Sequence, residues 1–106
     1  MRVLLDECTP SIVKTLLPHR DIQTVQEMGW GGVKNGALLT SAEGQFDILI
    51  TTDQNLRYQQ NLAKCKLAVL LLPSNQVPVV VGLIPAIDEA LDTARAKDFI
   101  EIRPVS

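Results

Sequence analysis

The stretch Phe46-Asp47-Ile48-Leu49-Ile50-Thr51-Thr52-Asp53 decides the fold class of this 106-residue chain. Its nearly continuous apolar run is typical of a strand that is buried on both faces of a parallel sheet. Two further runs, Arg2 to Leu5 and Leu67 to Leu72, have the same character. Helical patterns lie between these runs, as in βαβ units. The sequence therefore predicts an α/β domain built on a parallel sheet.

Turn and capping residues place the first helix and the second strand. Thr9 is predicted to cap a helix with Pro10 at its first position, and Pro18 should end that helix. A short strand is predicted over residues 22–25. The glycine-containing stretch 28–36 follows and is predicted to be a loop.

The second half of the chain continues the alternation. Asn35 is predicted to cap a second helix that ends at Gly44. Asp53 should cap a short helix that runs through Asn61. A long helix with a kink or a break at Pro85 is predicted over residues 80–94, since proline lacks the backbone donor. Residues 99–103 are predicted to form an edge strand.

The composition indicates one aliphatic domain. Hydrophobic residues make up 46% of the chain and aromatic residues 4%, which excludes a disordered protein and predicts a core of Leu, Val, Ile and Ala. A net charge of −2 counts against a protein that grips nucleic acid through phosphates alone. The two cysteines are predicted to be reduced thiols, and one histidine without a Cys-x-x-Cys motif argues against structural zinc. No apolar stretch could span a bilayer, so we expect a soluble, cytoplasmic protein.

Acidic residues follow two of the predicted buried strands. Asp6 and Glu7 come directly after the first strand, and Asp53 follows the strand that ends at Thr51. Ligands of open parallel sheets gather at the carboxyl ends of the strands, so these carboxylates are expected to converge there. Oxygen ligands select Mg²⁺ or Mn²⁺ over zinc or copper. The other reading is that Asp6 and Asp53 only cap the helices that follow them.

Three polar residues could contact a substrate of this site. Lys34, in the glycine loop, could reach a phosphate as a point charge, although it could equally be a solvated surface lysine. Asn35 and Asn55 could contact substrate or act as helix or turn caps. Trp30 could stack on a base or pin its loop to the core.

Three segments, in this order, carry a resemblance to a known family. They are residues 2–7 (Arg-Val-Leu-Leu-Asp-Glu), residues 28–39 (Met-Gly-Trp-Gly-Gly-Val-Lys-Asn-Gly-Ala-Leu-Leu) and residues 50–56 (Ile-Thr-Thr-Asp-Gln-Asn-Leu). Together they resemble the small PIN-like proteins of prokaryotes, which are related to VapC-type toxin ribonucleases. The likeness covers the chain up to about residue 72.

The resemblance implies a three-layer α/β/α sandwich with a parallel sheet. It also implies an acidic cluster that holds Mg²⁺ or Mn²⁺ for RNA hydrolysis, and Asp6 and Asp53 match acids of the family pattern. We therefore expect Asp6 and Asp53 to ligate the metal, with Glu7 as a further catalytic residue that assists directly or through water. A small antitoxin protein and a homodimer are the implied protein partners. This chain departs from the pattern because relatives often carry acids where it has Asn35 and Asn55.

Two other functions remain open. The chain could be a catalytically weak PIN-like module that acts by binding a protein partner, a reading that the acidic composition and the two asparagines favour. It could also be a phosphoacceptor domain of the receiver type, which places an acidic pair after its first strand and an aspartate after its third. Ser74 and Arg103-Pro104 would then replace the hydroxyl and lysine-proline positions of receivers.

Overall fold

A computed structural model describes residues 1–59, 62 and 64–103, and it describes Asn35 without its side chain. The described residues form five strands, three α-helices and one 3₁₀ helix. In chain order these elements are β1 (Arg2–Leu5), α1 (Ile12–Leu16), β2 (Asp21–Thr24), α2 (Asn35–Glu43), β3 (Ile48–Thr51), the 3₁₀ helix (Gln54–Tyr58), β4 (Ala68–Leu71), α3 (Val77–Thr93) and β5 (Phe99–Glu101).

The strands form one sheet in which every neighbouring pair is parallel, in the order β2-β1-β3-β4-β5. All residues of β3 and β4 are buried, which explains why these strands appear in the sequence as continuous apolar runs. β5 lies at the edge and is partly exposed. The predicted α/β class with a parallel sheet is confirmed.

Alternate residues of the central strands face opposite layers. Leu5 and Ile50 pack in one core with α1 and α3, which contact each other. Leu4 and Leu49 pack in a second core against α2 and Leu56 of the 3₁₀ helix. The sheet therefore lies between two helical layers, consistent with the three-layer α/β/α arrangement.

The first helix begins later than predicted. α1 starts at Ile12 with Ser11 at its N-cap, so the prediction of Thr9 as the cap was wrong. The Thr9 hydroxyl donates to the backbone carbonyl of Ile50 instead, at 3.4 Å. A hydroxyl used as a donor to the neighbouring strand ties the β1–α1 loop to β3.

Asn35 is not the cap of the second helix. Lys34 occupies the N-cap position, since its carbonyl already accepts the N–H of Leu38 at 2.8 Å. The helix ends as predicted, with Gly44 as its C-cap.

The long helix α3 continues through Pro85 without a break. The N–H that Pro85 lacks would have bonded to the carbonyl of Val81, and both residues lie on the exposed side of the helix, where water can satisfy that carbonyl. None of the helices in the described ranges combines the length and the apolar character that a membrane crossing needs.

Candidate functional site at the carboxyl edge of the sheet

The order of the strands places the acidic residues beside a topological switch point. The chain passes from β1 to β2 on one side of the sheet and then crosses to β3 on the other side of β1. β1 and β3 are paired neighbours, so the residues that follow them emerge at the same edge. Open α/β sheets bind ligands outside such a point. The structure therefore brings Asp6 and Asp53 to the place where a ligand is expected.

Asp6 continues β1 for one residue, because its backbone N–H donates to the carbonyl of Ile50 at 2.9 Å. Its carboxylate is almost buried, with 7% of the residue exposed. Oδ1 accepts the N–H of Glu7 at 2.7 Å, and Oδ2 accepts the hydroxyl of Thr51 at 2.7 Å. Both oxygens thus have partners, as buried carboxylates require. Asp6 fixes the end of β1 and does not cap α1, which begins six residues later.

Thr51 connects the two aspartates. Its hydroxyl donates to Asp6 and accepts the backbone N–H of Asp53 at 3.1 Å, and the residue is fully buried. No sequence pattern predicted a role for Thr51 in the site. The available signal was a single hydroxyl at the end of an apolar run, since a buried hydroxyl needs partners.

Asp53 has a capping role. Its Oδ1 accepts the backbone N–H of Asn55 at 2.9 Å, and the residue is the N-cap of the 3₁₀ helix. That helix ends at Tyr58, and Asn61, through which it was predicted to run, lies outside the described residues. The cap interpretation of Asp53 is therefore confirmed, and it coexists with the position of Asp53 beside Thr51.

Glu7 faces the glycine loop. Its Oε2 accepts the backbone N–H of Gly32 at 3.1 Å. Gly32 has a φ of +82°, a conformation that glycine adopts without the steric cost of a side chain. Glu7 therefore orders the loop that precedes Lys34.

The predicted substrate contacts have different outcomes. Lys34 and Asn55 are exposed at the start of α2 and within the 3₁₀ helix. Asn35 is the first residue of α2, and its side chain lies outside the described part of the structure. Trp30 contacts Phe46 edge to face, with ring centroids 6.1 Å apart, so it packs its loop against the core.

The number of metal ligands is small. Within the part of the chain that the structure describes, no three His, Cys, Asp or Glu side chains are grouped so that they could share an ion. The acidic edge offers the pair Asp6 and Asp53, with the Cys8 sulfur 3.7 Å from Oδ2 of Asp6.

A polar cleft of about 450 Å³ opens beside the acidic pair. Residues 7–11, which follow β1, form one wall, and Thr24 and Gln26 at the end of β2 form the other. Near the cleft, the Lys14 ammonium forms an ion pair with Oε1 of Glu27 at 2.7 Å. This ion pair and the backbone N–H of Thr24 hold the pKa of the Glu27 carboxyl below its usual value. This ion pair fixes the turn after β2.

Comparison with known proteins adds no assignment. No family model matches the chain. Searches of curated proteins and of solved structures also give no significant match.

Proposed function

We propose that this protein is a divalent-metal-dependent ribonuclease of the PIN-like toxin type. The observation that carries the proposal is the hydrogen-bonded series Asp53 N–H to Thr51 to Asp6, which fixes two acidic residues at the switch point of a parallel sheet. The hydrogen bonds to Asp6 compensate the cost of burying its charge and keep a carboxylate at the point where such sheets bind ligands.

The donor set fits a hard cation. Asp6 and Asp53 offer oxygen ligands, and Oδ1 of Asp6 keeps a lone pair beyond the hydrogen bond it accepts from Glu7, whereas Oδ2 accepts from both Thr51 and the Cys8 thiol. Mg²⁺ commonly keeps several waters and is held by one or two carboxylates together with substrate phosphates, so two acids match a common type of Mg²⁺ site. Such an ion, when bound, supplies a more acidic water and a counter-charge for phosphate.

The protein's own residues would orient the substrate and the acids. Thr51 holds the rotamer of Asp6, and Glu7 holds the glycine loop through Gly32. Lys34, exposed at the end of that loop, would contact a phosphate of the RNA strand. Asn35 and Asn55 would contribute amide groups without charge.

Cleavage of mixed structured RNAs tests the proposal. Wild type is compared with Asp6→Asn and Asp53→Asn in Mg²⁺ or Mn²⁺, with Asp21→Asn as a matched control. Asp21 is an exposed aspartate at the start of β2, at the opposite edge of the sheet. We expect cleavage by wild type and Asp21→Asn and its loss in the other two variants. Equal cleavage by all four, or none by wild type, would contradict the proposal.

A catalytically weak module that binds a protein partner is the second candidate. It is favoured by the lack of a three-ligand group among the described residues and by the hydrogen bonds that already occupy both oxygens of Asp6. A small antitoxin or a second copy of the chain, as in a homodimer, would be the partner. A stable dimer in sedimentation without metal-dependent cleavage supports this candidate, and cleavage that Asp6→Asn abolishes argues against it.

The strand order favours a third candidate, a receiver-like phosphoacceptor. The order 2-1-3-4-5 is that of flavodoxin-like and receiver domains. Against it, Asp53 lies two residues beyond β3 and caps the 3₁₀ helix, and Arg103 stands in place of lysine after β5. Pro104 lies outside the described residues. An aspartyl phosphate on Asp53 after incubation with acetyl phosphate would support this candidate.

A further inference from the structure

The polar cleft beside Asp6 has the chemistry of a subsite for a neutral group. It holds about 450 Å³, within the range of roughly 300–1,000 Å³ that small-molecule sites occupy. Among the described residues that line it, none is Lys, Arg or His, and Glu7 is the one that carries a carboxylate. Lys14, on the helix that follows, is already bound to Glu27 by two hydrogen bonds. A phosphate would find no cation in this cleft and would meet the carboxylate of Glu7.

Two neutral side chains of the cleft have hydrogen-bonding capacity to offer a ligand. Ser11 occupies the N-cap of α1, yet its hydroxyl makes no capping hydrogen bond. Gln26 is exposed on the opposite wall, and within the described residues its amide makes no hydrogen bond to another side chain or to the backbone. A hydroxyl and an amide that line the same cleft can together donate to and accept from one polar ring system.

Cys8 lies between the cleft and Asp6. Cys8 lines the cleft, and the Cys8 sulfur lies 3.7 Å from both Oδ2 of Asp6 and the hydroxyl oxygen of Thr51. A group bound in the cleft would therefore be separated by the Cys8 side chain from the carboxylate that would face a phosphodiester.

We infer that this cleft binds a nucleoside, through its base and ribose, of the strand whose phosphate faces Asp6. The inference rests on the proposed nuclease function. It assigns Ser11 and Gln26 as substrate-binding residues. Recognition of the base and ribose would then not depend on the phosphates of the RNA strand. The proposed metal site and the nucleoside subsite are then separate, and each can be tested without the other.

The test is an NMR titration of the full chain with uridine and, separately, with inorganic phosphate, in EDTA so that no metal is bound. We expect uridine to shift the backbone amide signals of Ser11 and Gln26 and phosphate to leave them unchanged. The same titration is repeated with the double variant Ser11→Ala/Gln26→Ala. Its matched control is Ser41→Ala/Gln76→Ala, which removes the same two groups from exposed positions in α2 and before α3.

Loss of two neutral hydrogen bonds should raise the apparent Kd for uridine about tenfold in the cleft variant and leave it unchanged in the control. An equal Kd in both variants, no uridine shifts in wild type, or the same shifts with phosphate would overturn the inference. RNA cleavage is measured on the same samples with Mg²⁺ restored. Uridine binding through Ser11 and Gln26 without any RNA cleavage would support the nucleoside subsite and refute the nuclease function. Cleavage without uridine binding would support the nuclease function and refute the subsite.

Discussion

The hydroxyl of Thr51 donates a 2.7 Å hydrogen bond to Oδ2 of Asp6. Both residues are buried, so water cannot readily replace this hydrogen bond. The same hydroxyl accepts the N–H of Asp53. One side chain thus joins the ends of β1 and β3 and sets the position of both aspartates. The candidate site depends on this contact more than on the number of acids present.

Replacing Thr51 with valine tests the contact. Thr51→Val keeps the shape of the side chain but removes the hydroxyl that bonds to the buried carboxylate of Asp6 and to the backbone N–H of Asp53, which costs about 1–3 kcal/mol. Urea unfolding measures the loss. Thr40→Val is the control, because Thr40 is exposed on α2, and surface substitutions usually change stability by less than about 0.5 kcal/mol. Equal losses in both variants would show that the Thr51 hydroxyl adds nothing.

The acid stability of the protein should depend on Asp88. Hydrogen bonds from Arg20, and then from His19, hold the pKa of the Asp88 carboxyl below its ordinary value of 3.8. A carboxyl whose folded-state pKa is lowered stabilises the fold above its unfolded-state pKa, and this stability is lost as the pH falls through the folded-state value. The free energy of unfolding should therefore decrease as the pH is lowered below about 4.

Asp88→Asn should make the unfolding free energy less dependent on pH in that window. Thermal unfolding between neutral pH and the acid limit of folding measures the effect. Glu89→Gln is the control on the same helix, since among the described residues the Glu89 side chain makes no ion pair. A pH dependence that Glu89→Gln reduces as much as Asp88→Asn would contradict the assignment.

Lys97 stores backbone strain before β5. Its φ is +70°, in the left-handed region, and its N–H donates to the carbonyl of Lys66 at 3.1 Å, which holds the turn in place. A side chain in this conformation costs about 1–2 kcal/mol, which glycine would avoid. The greater flexibility of glycine in the unfolded chain offsets roughly 0.5–1 kcal/mol of that benefit. Lys97→Gly should therefore stabilise the protein by about 0.5–1 kcal/mol in urea unfolding. Lys97→Ala keeps the Cβ and should give no such gain. A glycine variant less stable than the alanine variant would refute the strain.

The sequence predicts the sheet well because β3 and β4 are buried on both faces. Such strands need apolar residues at every position, so the runs around Ile48–Thr51 and Ala68–Leu71 stand out in the sequence without any knowledge of their neighbours. The positions of Asp6 and Asp53 at strand ends follow from the same runs. That these strands are adjacent depends on strand order, which local patterns do not encode.

The parts that were predicted wrongly depend on contacts between distant segments. Thr9 has the residue type of a helix cap, yet its hydroxyl bonds to Ile50 on another strand. The alternative of a break at Pro85 is wrong, because Pro85 lies on the exposed face of a helix that packs on its other side, whereas the kink stays a prediction. Thr51 gave no functional signal because its two partners are brought to it only by the fold.

Metal-dependent stabilisation is the most direct test of the central claim that Asp6 and Asp53 together form a divalent-cation site. Thermal unfolding is followed while Mg²⁺ and Mn²⁺ are titrated into wild type, Asp6→Asn, Asp53→Asn and the control Asp21→Asn. Cation at a hundredfold excess over its Kd should stabilise wild type and the control by about 2.7 kcal/mol, and the two site variants should lose most of that gain. No stabilisation of wild type, or the same stabilisation in all four proteins, would show that the two aspartates only hold the ends of β1 and β3 in place.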